Sequence, residues 1–192
     1  MPVIKTANSA DETHVIQILV RAFSSDPAAR WVWPDSDLYN NSFPDFVRAF
    51  GGKAFSFGSA YYIDGYFGTA LWLPPNIHPD EEAMEKVLHS TVSEQILADV
   101  FGVFGQMANF HPAEPHWYLP LLGVDPIHHG KGFGSALMSH VLEVCDKENK
   151  IAYLESSNPK NIPFYKRHGF ELAGTIQRGP SPTIFPMVRK PT

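Results

Sequence analysis

Three glycines at alternate positions, Gly130, Gly132 and Gly134, surround Lys131 in the stretch "HHGKGFGS". The stretch follows an apolar run, "WYLPLLGVDP", and opens a segment, "ALMSHVLEVCDKEN", whose apolar residues recur at helical spacing. A turn of this kind aligns unblocked backbone N–H groups beside the positive end of a helix dipole, which suits a diphosphate. Spacing rules out three known phosphate loops. The third glycine of a dinucleotide fingerprint falls on Ser135 counting from Gly130, and on Leu137 counting from Gly132. The kinase glycine loop fails on the same count. The Walker loop needs Ser or Thr after Gly-Lys, where Gly132 stands. A G-x-G-x-G that directly enters a helix remains, and a turn whose glycines serve only close packing explains it equally well.

A second cluster, His111-Pro-Ala-Glu114-Pro-His116, has metal-ligating side chains. Its two prolines make it rigid and extended, however, and no His-x-x-x-His pair accompanies it, so no metal site is expected.

The elements that must position these residues follow from patterning. Val3-Ile4 reads as a short first strand, and Asp11 to Phe23 as a helix with Val15, Ile18, Leu19, Ala22 and Phe23 on one face. Residues 26–37 read as a connection and Leu38 to Phe50 as a second helix. Asp64-Gly65 lies between two aromatic, β-prone runs and marks a hairpin. Residues 80–109 read as mostly helical. Trp117 to Val124 reads as a strand, the glycine turn as the start of a helix to about Asn149, "IAYLESS" as a strand and "NIPFYKRH" as a short helix. Asn161 is a candidate N-cap of that last helix, and "FELAGTIQ" and "TIFPMVRK" supply two final strands. This order predicts a mixed α/β (α+β) sheet.

The chain has 192 residues, is 44% hydrophobic and has a net charge of −5. These values suit one domain over 1–192 with a sizeable core and no field for nucleic acid. One cysteine, Cys145, sits in the apolar register of its helix, so a reducing compartment is expected. No apolar run approaches the roughly 18 residues of a membrane span, and the N-terminus has no signal-peptide block, so a cytoplasmic protein is expected.

Two motifs resemble the GNAT superfamily of N-acetyltransferases. One is Val124-Asp125-Pro126 followed by His129-Gly130-Lys131-Gly132-Phe133-Gly134, with His129 where Arg or Gln is usual. The other is "YLESSNPKNIPFYKRHGF", with Asn158 seven residues before Tyr165. Within that superfamily "YLESS", Lys160-Asn161-Ile162-Pro163-Phe164-Tyr165 and the terminal Arg189-Lys190-Pro191 resemble puromycin N-acetyltransferase-like members.

The resemblance implies a mostly antiparallel sheet with a bulged strand, splayed strands and helices on both faces. It also implies acetyl-CoA as cosubstrate, no metal, and a small-molecule amine as acceptor. Residues 1–110 would form the acceptor side and 111–192 the coenzyme side. Coenzyme contacts are expected from Leu122, Gly123, Val124, His129, Gly130, Lys131, Gly132, Phe133, Gly134 and Ser135, with Asn158, Asn161 and Tyr165. Leu122 would offer an N–H to the reacting carbonyl, with Gly123 permitting the bulge. Tyr165 stands where the family keeps its general acid. Glu155, in "YLESS", is a candidate base, with Tyr118, His116 and Glu114 as further candidates. Trp31, Trp33, Phe43, Phe46 and Phe50 could line an acceptor pocket, although aromatics at such spacing are as readily core. A peptide acceptor and a non-catalytic acyl-CoA sensor stay open, as do monomer and homodimer.

Overall fold

The computed structural model describes residues 2–192. Seven strands form one sheet in the order β1-β2-β3-β4-β5-β7-β6. They are β1 (Ile4–Thr6), β2 (Ala60–Ile63), β3 (Gly68–Leu73), β4 (His116–Val124), β5 (Ile151–Ser156), β6 (Glu171–Leu172) and β7 (Phe185–Arg189). Only β4 and β5 run parallel; every other neighbouring pair is antiparallel. The predicted mixed, mostly antiparallel sheet is therefore the fold.

Helices cover both faces. On one lie α1 (Glu12–Ala22), α2 (Pro27–Val32), α3 (Ser36–Gly51), α5 (Glu81–Thr91) and α6 (Glu94–Phe110), with the short α4 (Lys53–Ser56) following α3. Their core includes Leu19, Phe43, Val47, Leu88 and Val100, packed with Leu71, Tyr118 and Leu121. On the other lie α7 (Phe133–Lys147) and α8 (Ile162–Arg167), whose Leu137, Val141, Cys145 and Tyr165 pack with Trp72, Leu119 and Leu154. Cys145 is the core residue its register predicted. Burial pushes its thiol up to about 12, far from reactive thiolate.

Two local readings needed correction, and a third gained detail. Residues 26–37 are more than a connection, because Asp26 accepts from the backbone N–H groups of Ala28 and Ala29 and starts α2 at Pro27. The stretch 80–109 is mostly helical, as expected, and consists of two helices. It breaks at Val92, which adopts an extended conformation, and Ser93 caps the second. The bulge lies elsewhere than Gly123. Two steps on β3, from Leu71 to Leu73, oppose three on β4, from Leu121 to Tyr118. The extra residue therefore falls at Leu119-Pro120, where Pro120 has no N–H for the ladder. Gly123 has a different duty: a Cβ there would lie 2.7 Å from the Ala22 Cβ, so glycine lets α1 lie close on β4.

The bulge splits the sheet. The β4–β5 ladder runs from His116↔Ile151 to Leu119↔Leu154 and stops, while β5 goes on pairing with β7 as far as Ser156↔Phe185. Beyond Leu119 the two central strands part.

Candidate active site

The gap between the parted strands is lined by main chain. The Asp125 N–H donates to the Phe67 carbonyl at 2.9 Å, and the register continues through Thr69↔Gly123 and Leu71↔Leu121. Alternation in an antiparallel pair then turns the main-chain groups of Leu122 and Val124 to the opposite edge, into the gap. The Val124 carbonyl accepts from the His129 Nε2, 3.0 Å away, which fixes the start of the glycine turn.

In that turn Gly130 and Gly132 have φ of +77° and +79°, a left-handed geometry that favours glycine. Gly132 is the N-cap of α7. Among the described residues the backbone N–H groups from Gly130 to Ser135 have no protein acceptor; the first helical bond is Ala136 N–H to the Gly132 carbonyl at 3.0 Å. A bare helix start leaves four such donors. The glycine turn lengthens the row and points it at one place. Lys131 is exposed, and its Nζ lies 3.0 Å from the His128 Nδ1. This turn opens on a cleft of about 510 Å³ whose lining includes Leu122, Gly123, Val124, His129, Gly130, Gly132, Phe133, Gly134, Ser135, Asn158, Asn161 and Tyr165. The donor set suits a diphosphate. Lys131 alone of the expected coenzyme residues is not in the lining. Arg167, which sequence reading did not single out, is; it follows Tyr165 by two residues on α8. Ala22, Phe23, Ser25 and Asp26 also line this cleft, so the first half of the chain contributes to it.

The two asparagines differ from expectation. The Asn158 Oδ1 accepts from the Lys160 N–H at 3.0 Å and caps the 3₁₀ turn Pro159–Asn161. Asn161 makes no side-chain cap bond at α8 and faces the cleft. Of the two, Asn158 makes the side-chain capping bond.

A second, smaller cavity of about 140 Å³ lies on the other side of the gap, lined by Trp31, Trp33, Phe43, Phe46, Phe50 and Phe104 among others. The aromatics are thus both core and wall. Its only charged lining residues are Asp26 and Glu155. Five residues border both cavities: Phe23, Asp26, Leu122, Asn161 and Tyr165.

Tyr165 is buried, and burial, with the Asp26 carboxylate beside it, raises its hydroxyl, which stays a phenol and a proton donor at neutral pH. Asp26 was missed as a site residue. Its carboxylate takes the Ser157 hydroxyl at 2.6 Å as well as its two backbone donors, joining the start of α2 to the end of β5. Burial nonetheless raises its pKa above the usual value.

Glu155 has a side chain only 3% exposed. Its Oε2 accepts from the Tyr118 hydroxyl at 2.8 Å, while its Oε1 has no hydrogen-bond partner. Tyr118 is raised well above its ordinary value by burial and by Glu155, so it donates to that carboxylate as a neutral phenol. The His111 Nε2 stands 3.4 Å from the Glu155 Oε1, close enough for ion pairing but without hydrogen-bond geometry. The His111 Nδ1 meets the His116 Nε2 at 3.1 Å, and the His116 Nδ1 meets the Glu114 carbonyl at 2.8 Å. The rigid segment 111–116 therefore packs on Glu155. Among the described residues no group of three or more His, Cys, Asp or Glu side chains could hold a metal, and no helix is long and apolar enough to cross a membrane.

Residues 15–170 match the family model described as Acetyltransferase (GNAT) family. An uncharacterized N-acetyltransferase of Schizosaccharomyces pombe is 41% identical over 60 residues, 31% of this chain and only 24% of that protein's length. A Corynebacterium glutamicum structure described as histone acetyltransferase HPA2 and related acetyltransferase superposes with a TM-score of 0.69 at 24% identity, covering 100% of this chain and 97% of that one. Arylalkylamine N-acetyltransferase 2 of Aedes aegypti gives 0.65 at 15%, covering 99% of each chain. The polyamine N-acetyltransferase of Drosophila melanogaster gives 0.64 at 15%, covering 99% and 100%. At these identities the solved structures establish the shared fold.

Proposed function

The chain belongs to the GNAT family of acetyltransferases, and from that premise we propose that it is an acyltransferase that moves an acetyl group from acetyl-CoA to the primary amine of a small molecule with an apolar body. One observation carries the reading. A cleft rich in unpaired N–H groups and an apolar cavity holding one partly unpaired carboxylate meet at Leu122 and Tyr165.

In this reading the glycine turn holds the coenzyme diphosphate on main-chain amides, with Arg167 adding charge from α8. The rest of the carrier lies in the gap along Leu122 and Val124, and the Leu122 N–H faces the thioester oxygen where negative charge develops. The amine comes from the aromatic cavity. Near pKa 10.4 it reaches the site as an ammonium, and making it neutral at pH 7 costs about 4.6 kcal/mol. Glu155 takes that first proton. The lone pair then attacks the carbonyl carbon, the C–S bond breaks, and Tyr165 donates a proton to the leaving sulfur, while the proton lost by the new amide nitrogen restores the Tyr165 hydroxyl. One proton is released per turnover. Holding both reactants at the junction supplies much of the rate.

The lining favours one cationic end on an apolar body, since the Asp26 carboxylate is already taken by Ser157 and two backbone N–H groups and Glu155 alone keeps an unpaired oxygen. Several solved relatives are named for small amines, among them arylalkylamines, agmatine and polyamines. The likeness of "YLESS" and the Lys160–Tyr165 stretch to puromycin-type members adds an aminonucleoside to the acceptors worth testing.

Thiol release from acetyl-CoA across a panel of arylalkyl and alkyl monoamines, polyamines, an aminonucleoside and peptides tests the proposal. Turnover with apolar monoamines supports it. Turnover confined to peptides would replace it, and micromolar coenzyme binding with no release for any amine would favour an acyl-CoA sensor. Calorimetry showing no coenzyme binding to folded protein would end it.

A further inference from the structure

The hydrogen bonds behind Glu155 have a fixed direction. The Glu114 carbonyl can only accept, so the His116 Nδ1 carries a proton. His116 is held neutral by desolvation, its value being lowered despite the Glu114 carbonyl, and its Nε2 is then a lone pair. That lone pair faces the His111 Nδ1 at 3.1 Å, so the His111 Nδ1 carries a proton in turn. A neutral His111 therefore presents a lone pair on Nε2 to the Glu155 Oε1, 3.4 Å away. At the other end the Glu155 Oε2 is occupied by the Tyr118 hydroxyl. With His111 in that form, two lone pairs face each other across one gap, with room for one proton between them, and this gap borders the acceptor cavity through Glu155.

We propose that His111 is the positioning residue of the base, so that Glu155 and His111 accept the amine proton as a pair and His116 drains it towards solvent. The inference rests on the reading of Glu155 as base given above. The proton leaves the ammonium for the Glu155 Oε1 and passes to the His111 Nε2, which closes the hydrogen bond that the resting state lacks. His111 then hands its Nδ1 proton to the His116 Nε2, and His116, half-buried at the start of β4, gives up its Nδ1 proton to water when it swings from the Glu114 carbonyl. No group gains or loses electrons; each pass leaves both imidazoles with the proton on Nε2, and exchange with water as the rings reorient restores the Nδ1–H forms before the next turnover. The other titratable groups facing the pair are Tyr118 on β4, Tyr153 on β5, and His78 from the segment after β3. Both tyrosines are raised by burial and stay neutral, so neither competes for the proton. The His111 ring sits 4.4 Å from the Tyr153 ring and 4.7 Å from the Tyr118 ring, centroid to centroid, and this packing sets its aim.

The test compares His111→Gln, His111→Ala and Glu155→Gln by thiol release against pH, with thermal melting as a folding control. His111→Gln is expected to lower kcat at neutral pH by on the order of 10- to 100-fold, with the amine KM within about threefold and the acidic limb displaced. Added imidazole should restore His111→Ala in proportion to its neutral form, a response that a purely structural role does not produce. A His111→Gln enzyme with parental kcat and pH profile overturns the proposal. So does a folded His111→Ala that imidazole leaves unchanged; if His111→Ala does not fold, His111→Gln decides. A dead Glu155→Gln beside a fully active His111→Gln removes the pair alone, whereas a fully active Glu155→Gln removes the base assignment itself.

Discussion

Replacing Glu155 by Gln separates charge from shape at the acceptor cavity. The side chain is 3% exposed, so the carboxylate sits in a medium that penalises its charge. Gln can keep the bond from Tyr118 on its carbonyl oxygen, and its amide N–H can point at the His111 Nε2 lone pair across the present 3.4 Å. The variant therefore fills both hydrogen-bonding positions and removes a buried charge, and its stability should lie within about 1 kcal/mol of the parent, on the stable side. Catalysis responds very differently. Without a base, the roughly 4.6 kcal/mol needed to neutralise an alkyl amine at pH 7 falls on the solution equilibrium. General-base catalysis contributes about 10²–10⁴ in rate. Initial rates of thiol release at saturating acetyl-CoA, from about pH 6 to 10, should show kcat/KM for a monoamine reduced by that factor at neutral pH. In the variant the rate should then climb about tenfold per pH unit towards the amine's own ionisation, while coenzyme affinity stays put. A Glu155→Gln enzyme within threefold of the parent at pH 7, with its acidic limb intact, would refute the reasoning.

Tyr165→Phe should lose most of kcat with coenzyme affinity retained, measured by thiol release and calorimetry; parental turnover would take Tyr165 out of the reaction. Gly132→Ala places a methyl that meets no protein atom within 4 Å, so its folding cost is the left-handed backbone alone, about 1–2 kcal/mol, seen as a melting point lower by about 2–8 °C. The same variant should bind coenzyme at least tenfold more weakly. Asn161→Ala should weaken coenzyme binding without moving the melting point, and Asn158→Ala should cost about 1 kcal/mol of stability with coenzyme affinity nearly unchanged. Asp146 pairs through both oxygens with Arg189 at 2.7 and 2.8 Å and is lowered to about 2, chiefly by that hydrogen bonding. A lowered carboxylate stabilises the fold above its unfolded value of 3.8 and loses that contribution as pH falls towards 2. Acid denaturation of Asp146→Asn should accordingly show about 2 kcal/mol less stability at neutral pH and a flatter fall below pH 4.

The architecture was legible wherever local pattern and tertiary role agree. Asp64-Gly65, the helical register through Val141 and Cys145, and the run from Trp117 to Val124 each name their element without help from the rest of the chain. The errors came where tertiary contact decides. Gly123 is a natural place to expect a bulge, yet its missing Cβ answers to Ala22 on α1, about a hundred residues away in sequence. The break in the ladder belongs to Pro120, whose consequence depends on which strand lies on each side. Asp26 had the marks of a cap in "SDP", but only the fold reveals that its other oxygen takes Ser157 and that it borders both cavities.

The same division runs through the site. Motif resemblance singled out the turn, Tyr165 and Glu155, and each of these sits on an element of its own beside the two cavities. His111 carried a readable signal of a different kind. Two prolines flanking an acid and two histidines make a segment too stiff to collapse on itself, so its imidazoles must be satisfied by something else in the fold. Metal was the alternative weighed for that segment. The structure supplies another, a carboxylate with one oxygen unpaired at the end of a donor chain whose direction a backbone carbonyl sets. Hydrogen-bond polarity of this sort is absent from sequence, since it depends on which atom of each ring faces which neighbour. It is nevertheless what distinguishes a histidine that merely packs against Tyr153 from one able to receive a proton.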